Sequence, residues 1–240
     1  MCKVAIIAAI EQEVAPLIRG WKALEIEANG RSCRLFEKDG AVVICSGIGA
    51  EAARRATEAV IVAARPKRVV SVGFAGALDL TLKVGDVIEP RLVINASDGA
   101  RTDTGAGEGT LVSFSAIADP KQKRFLGKAY AAVAMDMEAA AVAQGAQSRG
   151  VEFAALKAIS DAADFSLPPT ERFVASDGRF RSAAFAAYVA VRPWLWGRTI
   201  ALARNSAKAS RALGSAIEAY LRHQAFAAVV HSSVNSGGKK

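Results

Sequence analysis

The chain has 240 residues, 52% of them hydrophobic, and a formal net charge of +8 from 31 basic against 23 acidic residues. That is enough to bury one large core, most simply as a single α/β domain, and no apolar run approaches the roughly 18 to 20 residues of a membrane span. The stretch Val4–Ile10 after Lys3 is too short for a leader's apolar region and runs into Glu11-Gln12-Glu13, so it reads as a first buried strand and the expected compartment is the cytoplasm.

Cys2, Cys33 and Cys45 have neither metal-ligand nor CxxC spacing, so reduced and mostly buried thiols are expected. The only histidines, His223 and His231, lie near the C-terminus, away from every motif. This argues against Ser-His-Asp or Cys-His chemistry and against a histidine-held metal; no metal or cofactor is expected. Chemistry, if present, must run on carboxylates. Much of the basic excess lies late, at Arg192, Arg198, Arg204, Lys208, Arg211 and Arg222, with few interleaved aromatics beyond Trp194 and Trp196. A solvated helix face is the default reading, and without a recognition motif the charge gives no case for nucleic acid.

In chain order, Lys3–Ala9 predicts a strand and Glu11–Gly20 a short helix containing Pro16. Ser32–Glu37 and Ala41–Cys45, joined by Lys38-Asp39-Gly40, predict a hairpin. Ser46-Gly47-Ile48-Gly49 then opens a helix from Ala50 to Ala64, stopped by Pro66. Arg68–Val72 predicts a strand running into a Gly73-Phe74-Ala75-Gly76 turn, and Val84–Ile94 a further strand about Gly85-Asp86. Ala96–Gly109 reads as a loop, Lys121–Lys128 as a helix and Ala131–Met135 as a short strand. Met137–Ser148 predicts an alanine-rich helix and Glu152–Ile159 a strand, with Leu167-Pro168-Pro169 breaking the chain before a helical C-terminal third. The alternation predicts one α/β domain over residues 1–224, a central mixed sheet with helices on both faces, followed by a flexible tail at 225–240.

The elements that could carry chemistry each end an apolar strand, where α/β sheets build their sites. They are Glu11-Gln12-Glu13, Ser46-Gly47-Ile48-Gly49, Gly73-Phe74-Ala75-Gly76, and the acids of Met137-Glu138 and Ser160-Asp161. Singly, each is weak: glycine pairs commonly make turns, and an acid at a helix start commonly compensates the dipole.

Together they resemble a family. Met135-Asp136-Met137-Glu138-Ala139-Ala140-Ala141-Val142-Ala143 is similar to the V-E-M-E-x-x-A-[IV]-A helix of the nucleoside phosphorylase/nucleosidase superfamily, and Ala158-Ile159-Ser160-Asp161-Ala162-Ala163-Asp164 to its A-I-S-D-x-A-D element. Ser46-Gly47-Ile48-Gly49 and Gly73-Phe74-Ala75-Gly76 resemble its S-G-I-G and G-[ST]-A-G turns. Ala8-Ala9-Ile10-Glu11-Gln12-Glu13-Val14 resembles the opening of the methylthioadenosine/S-adenosylhomocysteine nucleosidases. Order and spacing agree over roughly residues 3 to 165.

The resemblance implies a nucleoside phosphorylase-like fold, homo-oligomers, a small-molecule nucleoside substrate and cleavage of an N-glycosidic bond. Asp161 would protonate the departing purine at N7 with Ser160 orienting it, and Glu13 would activate water. Glu138 would accept the ribose hydroxyls, Met137 would pack on the sugar, and Ile48 and Phe74 would line the substrate site. The superfamily's phosphorolytic members resemble one another in a G-D-P-x-R loop and in an arginine two residues before the glycine turn. Here those positions hold Ala8–Glu13 and Ser71, which favours hydrolysis; a purine nucleoside phosphorylase or a catalytically inactive nucleoside-binding homologue are the alternatives.

Departures from the pattern concern the substituent on the sugar. Phe74 replaces the usual Ser or Thr, the purine-binding region between Asp98 and Ala118 is short, and Phe114 is open to two readings, stacking on a base or packing as a core aromatic. Asp177-Gly178-Arg179, Pro193-Trp194 and the helix from Ile200 loosely resemble the hopanoid-associated branch, which acts on adenosylhopane. Trp194, Trp196, Ile200 and Leu202, flanked by Arg198, Arg204, Lys208 and Arg211, would suit peripheral contact with an anionic membrane; the alternative is a helix packed on the sheet with its arginines in water.

Overall fold

The computed structural model describes residues 4–28, 31–175 and 178–236. Apolar β-branched runs form the centre of the sheet. β1 (Val4–Ala8) lies parallel between β4 (Ala41–Cys45) and β5 (Arg68–Ala77), and β11 (Glu152–Asp161) runs parallel along the other edge of β5. A meander of β2 (Lys22–Ala28), β3 (Arg31–Lys38) and β4 extends one side. The turn between β3 and β4 has positive φ at Asp39 (51°) and Gly40 (78°), the tight hairpin connection the Asp-Gly pair predicts.

The other side continues through β10 (Ala134–Asp136), β9 (Thr110–Ser113), β7 (Leu92–Asn95) and β8 (Arg101–Asp103), with β6 (Val87–Ile88) pairing β11. Among the described residues this is one mixed sheet of 11 strands, as the α/β reading expects. Successive residues of β1 alternate between two cores. Ala5 and Ile7 face α2 (Ala50–Ala64) and α4 (Ala139–Gln147), whereas Val4, Ile6 and Ala8 face α1 (Glu11–Ile18) and α6 (Pro193–Ser236).

Helix termini follow local chemistry. α3 (Pro120–Tyr130) begins with Pro120 at its first position. The Asp119 carboxylate accepts from Lys121 N (2.7 Å) and Gln122 N (2.8 Å), while Gln122 Oε1 accepts from Asp119 N (2.9 Å). α6 presents Ala209, Leu213 and Ile217, four residues apart, to Val14 and Leu17 of α1.

Five points need correction. Gly73-Phe74-Ala75-Gly76 is no turn: it continues β5 to Ala77. The single strand Val84–Ile94 is two, β6 and β7, separated by Glu89-Pro90-Arg91, because proline cannot donate to a ladder. The loop Ala96–Gly109 contains β8, and Lys22–Ala28 is a strand the sequence reading passed over. α4 starts at Ala139, with Met137 before it and Glu138 as its N-cap residue. Cys45 is half-buried, and burial pushes its thiol up to about 12, with Glu11 and Glu13 adding to the shift. Cys2 and the Cys33 side chain lie outside the described residues, as do 237–240 of the expected tail.

Candidate active site

β5 changes partners partway along its length. β11 covers one edge from Arg68 to Gly76. On the other edge β1 pairs only Arg68–Ser71, and β10 pairs only Gly76–Ala77. The intervening segment, Val72–Ala75, has no strand beside it there, and a cavity of ≈ 200 Å³ opens at this seam. Glu13, Ile48, Phe74, Met137, Glu138, Ser160 and Asp161 all line that cavity. Residues up to 148 apart in sequence are therefore brought to one place.

Glu13 spans the opening. Its Oε2 accepts from Ala9 N (2.9 Å) and Ile10 N (3.1 Å), and its Oε1 accepts from Phe74 N (2.9 Å). The carboxylate thus closes the start of its own helix and takes up a β5 amide that the ladder leaves over. Gly73 makes this possible. Its φ is +143°, and a Cβ there would stand 2.8 Å from Glu13 Oε1. Burial raises the Glu13 pKa, against the lowering effect of the Phe74 amide and of Lys157.

Glu138 is held by the second glycine element. Gly47 and Gly49 take positive φ, and Gly49 N donates to Glu138 Oε1 (2.8 Å). Burial, helped by Asp136, pushes the Glu138 pKa up to about 7. Beneath it lies a buried polar network. Asp136 accepts from Ser113 Oγ (2.5 Å) and Ala139 N (2.9 Å) and pairs with Lys157 Nζ at 2.8 Å. Burial works against the Lys157 charge, but Asp136, Glu138 and Glu13 together push its pKa up.

Asp161 has different company. Its Oδ1 accepts from Ser160 Oγ (2.7 Å), and its Oδ2 accepts from Nζ of Lys123, which also donates to Ala162 O (2.7 Å). Lys123, on α3, is 1% exposed and lines the cavity. Gly76 leaves room for this pair, since a Cβ there would lie 3.0 Å from Asp161 Oδ2 and 3.4 Å from Lys123 Cε. The two outer glycines of Gly73-Phe74-Ala75-Gly76 therefore each admit a cavity-lining carboxylate against β5.

Sequence reasoning missed Lys123, because it sits in the charged string Lys121-Gln122-Lys123-Arg124, and only its spacing of three from Leu126 hinted at a buried face. Phe114, left open between stacking on a base and packing in the core, packs against the cluster of Leu78, Val112 and Met135, and Ala116, Ile117, Ala118 and Leu167 line the cavity. From the C-terminal third, Gly178 seats against the glycine turn and accepts from Ile48 N (2.8 Å), at a position where a Cβ would meet Ile48 O at 2.9 Å. Asp177 lies outside the described residues.

The family model of the phosphorylase superfamily matches residues 3–127 and 108–191, and the chain belongs to that superfamily. It is 33% identical to the 5′-methylthioadenosine/S-adenosylhomocysteine nucleosidase of Glaesserella parasuis serovar 5 (strain SH0165), over 36% of this chain and 39% of that protein. It is 26% identical to the nucleosidase of the same description from Bacillus pumilus (strain SAFR-032), over 67% of this chain and 86% of the relative. The chain thus covers well under half of the first relative and most of the second. Among solved structures, the futalosine hydrolase of Helicobacter pylori strain 26695 is similar with a TM-score of 0.65, at 21% identity over 90% of this chain and 97% of the other, which shows the shared fold.

Proposed function

We propose that the chain is a nucleosidase that hydrolyses the N-glycosidic bond of a 5′-substituted adenosine and releases adenine. The observation that carries this reading is that Glu13, Glu138 and Asp161 share one cavity with distinct hydrogen-bond surroundings. Glycoside cleavage builds positive charge on the sugar and negative charge on the leaving purine. Glu13, anchored by three backbone amides, is fixed in place to take a proton from water. Glu138 accepts from the ribose hydroxyls, Met137 packs on the sugar, and Asp161, oriented by Ser160, protonates N7. Hydrolysis is favoured over phosphorolysis by charge. The only cation among the described lining residues is Lys123, and it is engaged by Asp161 and Ala162 O, leaving no free positive group for phosphate.

On the substituent, the proposal extends to an adenosylhopane-like or methylthioadenosine-like group. Support for a bulky apolar group comes from Phe74 at the cavity wall and from Trp194, Trp196 and Ile200, which are 73%, 49% and 51% exposed beside Arg198 and Arg204. Among the described residues no helix is long and apolar enough to cross a membrane, so such contact is peripheral. The enzyme works as a cytoplasmic homo-oligomer on this reading.

The test is adenine release from methylthioadenosine and from a lipid-linked adenosine, with and without phosphate. Phosphate-independent release that D161N abolishes is expected. Strict phosphate dependence would make the chain a phosphorylase, and binding without release would make it an inactive homologue. Pelleting with anionic vesicles at moderate salt checks the membrane surface, and failure to bind removes it.

A further inference from the structure

The acid at Asp161 does not stand alone, and this changes what it can deliver. A general acid must hand over a proton, yet the Asp161 carboxylate is already paired with the Lys123 ammonium. A buried ion pair is weak evidence for stability, because desolvating two charges costs several kcal/mol per ion and apolar replacements are often neutral. α3 could meet its surroundings without it: Lys121, Arg124 and Lys128 all turn to solvent, and only Lys123 is drawn inward. Ala162 O fixes a second of its protons (2.7 Å), and Gly76 keeps the space beside it clear.

We propose that Lys123 supplies the proton that Asp161 passes to the departing purine. The inference rests on the nucleosidase reading. As the C1′–N9 bond breaks, its electron pair goes to the base; the Lys123 ammonium gives a proton to the Asp161 carboxylate and is left as the amine, and Asp161 hands that proton to N7 and returns to carboxylate. On the opposite side the water oxygen bonds to C1′ and its proton goes to Glu13. The base leaves as a neutral N7-protonated tautomer, and proton exchange with solvent resets Glu13 and Lys123. Lys123 is on this account a positioning and proton-supplying residue that acts through Asp161, and its ammonium, unlike a guanidinium, can give its proton up.

Two leaving groups separate this role from a structural one. Methylthioadenosine needs its base protonated; a nitrophenyl riboside leaves as a stable phenolate and does not. With wild-type chain, K123M and K123R, we expect both variants to lose about 100-fold or more in kcat on methylthioadenosine while staying within about threefold of wild type on the nitrophenyl riboside. Activity on the second substrate reports that the variants fold. Equal losses on both substrates, or K123R turning over methylthioadenosine as wild type does, would overturn the proposal, since charge and packing alone would then suffice. If wild type releases no adenine from any adenosine, the nucleosidase reading fails and takes this one with it. Active wild type with an unimpaired K123M sinks only the role of Lys123.

Discussion

Two lysines in this fold are each 1% exposed and each paired with an aspartate, but they serve opposite ends of the site. Lys157 lies under the floor, outside the cavity lining, where it balances Asp136, Glu138 and Glu13. Lys123 is in the wall, against Asp161, the carboxylate proposed to protonate the departing base. The same residue type at the same burial therefore acts as a fixed countercharge in one place and faces the candidate acid in the other. The difference lies in what the partner does, not in the lysine.

That contrast can be broken most severely at Lys157. K157M strands three carboxylates without a counterion and is expected to lower stability by about 3–5 kcal/mol, read as a shift of the urea midpoint. If K157M melts like wild type, the floor does not depend on that charge. The two chemical ends should then separate by leaving group. E13Q is expected to lose about 10³-fold in kcat on methylthioadenosine and on the nitrophenyl riboside alike, whereas D161N loses it on the purine substrate alone.

A smaller effect concerns Glu138, whose pKa is raised from 4.5 to about 7 by burial beside Asp136. A carboxyl raised in the folded state contributes stability that is complete below its unfolded pKa and lost as pH climbs through the folded one. E138Q should therefore raise the melting temperature at pH 8, by the equivalent of about 2–3 kcal/mol, and change it little at pH 4. It should also weaken ribose binding at both. For wild type, kcat/KM should fall as pH drops below about 7, because Glu13 and Glu138 both take up protons from a raised starting point. The mildest change separates the two glycines. G76A needs only a few tenths of an ångström from Lys123 and Asp161, about 1 kcal/mol, while G73A adds a strained φ and displaces Glu13, costing roughly 1–3 kcal/mol in thermal melts.

The parts of the fold that could be read from sequence are those with long apolar runs or clear punctuation. Val4–Ala8 and Ala41–Cys45 are continuous apolar runs, Phe153–Ile159 is apolar apart from Lys157, and Ala50–Ala64 lies between a glycine turn and Pro66. β2 was passed over although Leu24 and Ile26 alternate with Glu25 and Glu27 as in an edge strand, and β8 escaped because Arg-Thr-Asp has no strand signature apart from Thr102, which is buried. In the site, the carboxylates were legible because each sits at a strand end beside glycine or a helix start. What the glycines were for was not, since Gly73 and Gly76 answer to side chains arriving from α1, α3 and β11. Lys123 was hidden for the same reason: its partner is 38 positions away and on another element.

The unpaired stretch of β5 has a mechanical side as well. Where one strand hands over from β1 to β10, the two halves of the sheet are not stitched by backbone ladder, and Glu13 crosses that gap like a rivet. A nucleoside seated there would add a second fastening, touching both halves at once. Substrate should thus slow amide exchange along Val72–Ala75 more than anywhere else in the sheet, and E13Q should quicken it in the empty protein. The reacting base would double as the clasp that keeps its own active site shut.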